Sequence, residues 1–173
     1  MPVKHAILWL DRAIGRAEAI LLAALVCAIT VVTFAQVFSR YVLSDPIIWS
    51  EEVARYLFVW ITMIGAAAAV RSRGHFGLDI LRRWAASDAL RSFLGLLTSV
   101  FVAAFLLVLL IAGINETHQA SGQFSSALPI TLMLPYLALP VGAGAALFHL
   151  LAYWLTAGLG AHPLDRPDPE EGS

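Results

Sequence analysis

Charge is what this sequence has least of. Among its 173 residues only 13% are Asp, Glu, Lys or Arg while 60% are hydrophobic, against roughly 25% charged for an ordinary soluble domain. A water-soluble fold of this size cannot hide that much apolar surface, so lipid is the expected solvent. Cysteine is nearly absent too. The single Cys27 allows no intrachain disulfide, thiolate metal site or dithiol redox pair, and inside an apolar run it reads as a small filler. A formal net charge of -1 supplies no basic surface for nucleic acid. Of the five histidines, His5, His75, His118, His149 and His162, only His149 falls within an apolar run, so an intramembrane haem would lack its second ligand. The centres of the apolar runs hold no Asp, Glu, Lys or Arg, the groups a self-sufficient ion or anion carrier places there. No catalytic residue, cofactor or metal is expected, and the chain does not read as an enzyme.

What is present is a set of apolar blocks, at about 19–38, 50–70, 92–114 and 133–157. In lipid every backbone amide has to be bonded within its own segment, so each block is predicted to be helical. The fold class is an all-α membrane protein: four transmembrane helices in a bundle, with additional interfacial amphipathic helices. The first block is too long for the apolar region of a cleavable leader, about 7 to 15 residues, and reads as a retained signal anchor. Asp45-Pro46 carries the signature of a helix start, an N-cap acceptor before a ring that needs no amide partner. In the fourth block Pro140 frees the carbonyl of Tyr136 and predicts a bend.

The charged residues lie between the blocks. Lys4, Arg12, Arg16, Arg71, Arg73, Arg82, Arg83, Arg91 and Arg166 fall on one side of a four-span topology, and only Arg40 and Arg55 on the other. The positive-inside rule then predicts cytoplasmic termini. Residues 1–17 read as a cytoplasmic interfacial segment, with Ile7, Leu10 and Ile14 on one face. A cytoplasmic interfacial helix is expected at about 75–88, with Phe76, Ile80, Leu81 and Trp84 at helical spacing and arginines at the lipid headgroups; a plain connector is the alternative. The acidic, proline-containing stretch 161–173 is expected to be disordered. Small residues crowd 65–69 and 142–146, faces that suit close packing against another helix of this chain or of a partner subunit.

The notable charges gather at the outer membrane edge: Arg40 where the first span ends, then Glu51, Glu52 and Arg55 where the second begins. Glu51 and Arg55 stand four apart in the favourable order for a helix-surface pair, and Arg40 can reach either glutamate if the two helices are neighbours. Paired catalytic carboxylates are the sharper reading, but nothing nearby supplies a nucleophile. Aromatic residues near the span ends, among them Trp9, Tyr41, Trp49, Trp60 and Trp154, form an expected membrane-interface belt.

From Val37 to Ile80 the chain reads VFSRYVL, then WSEEVARYLFVW, then GAAAAVRSRGHFGLDIL, and later SSALPITLMLPYLALPVG. These stretches, in this order and with four-span hydropathy, resemble the small permease subunit of tripartite ATP-independent periplasmic transporters. The likeness covers most of the chain apart from its two tails. It implies a non-catalytic subunit that docks on a large multi-span permease, while a periplasmic substrate-binding protein delivers an organic acid and a sodium gradient drives uptake. Arg40, Tyr41, Trp49, Glu51, Glu52, Arg55, Trp60, His75 and Asp79 fall on the family pattern, which implies roles at helix ends and at the subunit interface. Because the chain carries no further span after the fourth, the large permease is expected to be a separate polypeptide, in a bacterial inner membrane. The competing reading is a free-standing four-helix membrane transporter or membrane enzyme acting without a large permease.

Overall fold

The computed structural model of the chain describes residues 2–72 and 88–157. Helix α1 runs unbroken over Pro2–Phe38, about 55 Å at 1.5 Å per residue, against roughly 30 Å of bilayer hydrocarbon. Residues 4–14 are therefore the opening turns of the same helix that crosses the membrane. The tail 161–173, together with His75, Asp79 and all of the expected 75–88 helix except Asp88, lies outside the described residues.

After α1 the chain widens into a π turn over Ser39–Leu43 and reverses at Ser44, whose φ of 54° is the only positive value among the described non-glycine residues. The buried Ser39 holds this reversal: its carbonyl accepts the Asp45 N–H at 3.2 Å and its hydroxyl donates to the Asp45 carbonyl. Asp45 and Pro46 consequently do not open the second helix, as their pairing suggested. They belong to the turn, and α2 spans Ser50–Arg71, with the buried Ser50 hydroxyl donating to the Ile47 carbonyl at 2.7 Å.

Helix α3 covers Asp88–Gln119 and passes through a 3-10 turn, Ala120–Gly122, into a loop pinned by an isolated antiparallel bridge between Phe124 and Thr131. The short α4, Met133–Tyr136, and α5, Ala138–Ala157, complete the fold. Their interruption at Leu137 lies one turn before Pro140, whose ring cannot supply an amide to the Tyr136 carbonyl. Four of these helical stretches, Lys4–Leu43, Ser50–Arg71, Phe93–Gly122 and Met133–Thr156, are long and apolar enough to cross a membrane.

Helix α5 is the centre of the bundle: α2 and α3 both pack on it, while α1 packs chiefly on α2 and also reaches α5. The core is built from small groups, with Ala67 of α2 and Leu106 of α3 meeting Ala146 of α5. Lipid tails are as apolar as the side chains, so these helices gain little from hydrophobic burial and rely on close van der Waals approach. Glycine permits it at two crossings. A Cβ on Gly142 would lie 2.7 Å from the Met63 carbonyl oxygen, and one on Gly113 would lie 2.9 Å from Leu139 Cβ and 3.0 Å from the Pro140 ring. At Gly142, then, the small-residue face of the fourth span is met by a helix of the same chain. The hydroxyls of Thr30, Thr62, Thr98 and Thr117 each donate to the carbonyl four residues earlier, so none is left unpaired in lipid. The outward faces stay apolar: Phe34, Phe58, Phe101, Phe105 and Val108 are all more than half exposed.

Candidate functional site

Polar side chains gather at the two ends of the bundle. At the end where α1 finishes and α2 begins, the centre is Glu52, in the first turn of α2. One carboxylate oxygen accepts the Ala127 N–H at 2.9 Å and the Ser126 hydroxyl at 3.5 Å; the other accepts the Tyr56 hydroxyl from one turn along α2. Within the loop Ser125 closes a small turn, its N–H on the Ile130 carbonyl at 3.0 Å and its hydroxyl accepting the Leu128 N–H at 3.1 Å. Glu52 thereby ties the start of α2 to the connection between α3 and α4. Its neighbour Glu51 accepts the Gln36 amide at 3.3 Å, joining α2 to the last turns of α1.

The sequence-marked residues are thus only partly brought together. Glu51 and Glu52 each bond to another element, but neither takes a cation. Arg40 and Arg55 are exposed and form no ion pair among the described residues, so the Glu51–Arg55 pair and the reach of Arg40 to a glutamate are not made. Spacing put Glu51 and Arg55 on adjoining positions of a helix, but Glu51 is bonded to Gln36 of α1 instead. Tyr41 and Trp49 are exposed on the connection and Trp60 is half-buried on α2. Removing the Glu52 carboxylate as Glu52→Ala is expected to speed hydrogen exchange at the Ala127 amide roughly tenfold, because a charge-assisted acceptor is lost. Amides in the middle of α2 should keep their rates. Unchanged exchange at Ala127 would show that the loop is held without Glu52.

The opposite end holds a constellation that the sequence reading did not assemble. His149 of α5 is 3% exposed. Its Nδ1 lies 2.6 Å from Asp11 Oδ1, and its Nε2 lies 3.1 and 3.2 Å from the two oxygens of Glu18, itself 5% exposed. Arg71, the last residue of α2, brings its Nε to 3.4 Å from Asp11 Oδ2. Asp11 and Glu18 are seven residues apart and so share one face of α1. Between them Gly15 is buried, and a Cβ there would overlap the Arg71 guanidinium. Both ring nitrogens of His149 thus lie within hydrogen-bond distance of a carboxylate, and Asp11 in turn lies against the Arg71 guanidinium. The same four side chains fasten α1 to both α2 and α5.

In both clusters the carboxylates are met by groups of this chain, although the Arg71 Nε, 3.4 Å from Asp11, is buried without a hydrogen-bond partner. Among the described residues, no group of three or more His, Cys, Asp or Glu is arranged to hold a metal ion. Four apolar helices with polar contacts at each end of the bundle make up a multi-span membrane protein. More particularly, the chain belongs to the family described as "Tripartite ATP-independent periplasmic transporters, DctQ component", whose model matches residues 29–157. It is 32% identical over 125 residues to the C4-dicarboxylate TRAP transporter small permease protein DctQ of Vibrio cholerae, covering 70% of this chain and 53% of that one. With the sialic acid TRAP transporter small permease protein SiaQ of the same organism it shares 27% identity over 146 residues, 82% of each chain. It is also 32% identical over 124 residues to the sialic acid TRAP transporter permease protein SiaT of Haemophilus influenzae, covering 72% of this chain but only 20% of that longer protein. The chain thus spans about half the length of the Vibrio cholerae DctQ that it matches.

Proposed function

We propose that this chain is the small membrane subunit of a sodium-coupled, binding-protein-dependent transporter of an organic acid, and that it acts as a fixed frame for a large permease subunit. The observation that carries this reading is the family match over 29–157, which takes in Glu51 and Gln36, Glu52 and its loop partners, and His149. The relatives are named as permease proteins for C4-dicarboxylates and for sialic acid, both carboxylate anions, and this supports an organic acid as the cargo. In such a complex the substrate and sodium sites lie in the large subunit, and a periplasmic binding protein supplies the substrate. Cytoplasmic termini in a bacterial inner membrane fit the distribution of cations. Arg40, Tyr41, Trp49, Arg55, Trp60, His75 and Asp79, together with Glu51 and Glu52, serve helix ends and the contact with the large permease. Exposure of Arg40, Tyr41, Trp49 and Arg55 supports this, since they remain available to another chain.

A frame has a physical use here. A permease part that moves substrate across the bilayer needs a neighbour that does not move with it, and a bundle stapled at both ends suits that task. The test is uptake into sealed vesicles under a sodium gradient, with a panel of organic acids and with this chain, the large permease and the binding protein supplied together or singly. Accumulation is expected only from the full set. If this chain alone concentrates an anion, it is a free-standing transporter and the frame reading fails.

A further inference from the structure

Opposite the His149 staple, α1 carries a polar face that the proposed function does not use. At 3.6 residues per turn, Trp9, Arg12 and Arg16 fall within about 60° of one another, and Arg16 lies about 160° around the helix from Glu18. All three are exposed, Trp9 by 68%. Because Asp11 and Glu18 are held by His149 and Arg71, the rotation of α1 is fixed and these three side chains point away from the bundle. Arg12 is steadied by its Nε, which donates to the Leu8 carbonyl at 3.2 Å and leaves the terminal nitrogens outward. Among the described residues neither Arg12 nor Arg16 forms an ion pair.

Depth narrows what these cations meet. His149 sits between Asp11 and Glu18, so it is level with the region of Gly15 on the antiparallel α1. Five residues further along α5, Trp154 lies about 8 Å beyond that level, and Trp9 lies about 9 Å beyond it on α1. Two tryptophans at one height mark the membrane interface, which leaves Arg12 and Arg16 on its lipid side. A guanidinium there does not stay in hydrocarbon; it reaches for the phosphate layer, and its planar fork matches a phosphate oxygen pair. Two of them one turn apart, with an indole below, complement an anionic headgroup in both charge and height.

We propose that Trp9, Arg12 and Arg16 form a binding strip for the phosphodiester of an anionic phospholipid, held in register by the staple on the reverse face of α1. The full chain, placed in phosphatidylcholine bilayers with and without phosphatidylglycerol, is then released into the gas phase and its retained lipids are counted by native mass spectrometry. Wild type should keep phosphatidylglycerol in preference to phosphatidylcholine. Arg12→Gln with Arg16→Gln should weaken that retention about thirtyfold, the size expected for two cations at an anionic surface, whereas Arg12→Lys with Arg16→Lys, which keeps both charges but not the planar fork, should lose only part of it. The proposal is overturned by a wild type that shows no preference, by a double glutamine variant that retains phosphatidylglycerol undiminished, or by a double glutamine variant that keeps its lipid but no longer co-purifies with the large permease, which would place protein on this face. Lipid retention is read on this chain alone, so it stands or falls separately from the uptake result.

Discussion

Replacing His149 by leucine is expected to destabilise the folded chain by about 3–5 kcal/mol, the usual cost of leaving a buried carboxylate without its partner. The reason lies in what remains. With the ring gone, the Glu18 carboxylate, 5% exposed, faces an apolar site with no donor, and Asp11 keeps only the Arg71 guanidinium at 3.4 Å. Two carboxylates that had shared one imidazole would then lie on the same helix face without it. Glu18→Leu combined with His149→Leu should recover most of the loss, because a whole buried pair exchanged for apolar side chains of similar size is often neutral or stabilising. The measurement is thermal unfolding of the detergent-solubilised chain, followed through helical circular dichroism. A single variant as stable as wild type, or a double variant no better than the single, would show that the four groups do not act as a unit.

That constellation also marks where the sequence stops being readable. The apolar runs announce the four helices because lipid forces backbone satisfaction within each segment, a rule that acts locally. His149 and its partners lie more than a hundred residues apart in the chain, and each looks ordinary alone. Asp11 and Glu18 drew no reading from the sequence at all, and His149 read as a haem ligand without a mate. The available clue was the seven-residue spacing of the two acids around Gly15, which puts both carboxylates and a gap for Arg71 on one face. At the other end Glu52 was marked by family resemblance and by its place near a helix start, but its partner is the backbone amide of Ala127, and amides carry no signature in sequence. The Glu51–Arg55 spacing was equally visible and misleading, since helix geometry states which residues are neighbours but not which of them bond, and Glu51 is bonded to Gln36 across to α1. Asp45-Pro46 failed for the same kind of reason. Its local preference to start a helix yields to Ser39, which holds the Asp45 backbone in the reversal between α1 and α2.

Gly142 is where a single added methyl group should cost most in the helix packing. In a helix interior, glycine to alanine ordinarily favours the helix by about 1 kcal/mol, through lower chain entropy. At Gly144 that gain should be realised, because the nearest atom to a new Cβ is Leu110 Cδ1 at 3.9 Å, the flexible end of a side chain. At Gly142 the new carbon meets the Met63 carbonyl oxygen at 2.7 Å, Met63 Cβ at 2.8 Å and the Met63 carbonyl carbon at 2.9 Å. Two of those atoms are backbone of α2, so relief requires α2 and α5 to separate. Overpacking of this kind costs roughly 1–3 kcal/mol, and leucine at 142 should exceed alanine. Because α5 joins α2 to α3, the separation also loosens the contact of Ala67 and Leu106 with Ala146, and the Glu52 tether to Ala127 has to stretch with it. Gly142→Leu is therefore expected to lower the unfolding midpoint and reduce co-purification with the large permease together, while Gly144→Ala raises the midpoint slightly and leaves co-purification as it is. If Gly142→Ala unfolds no earlier than Gly144→Ala, the close approach of α2 and α5 is not what holds this frame together.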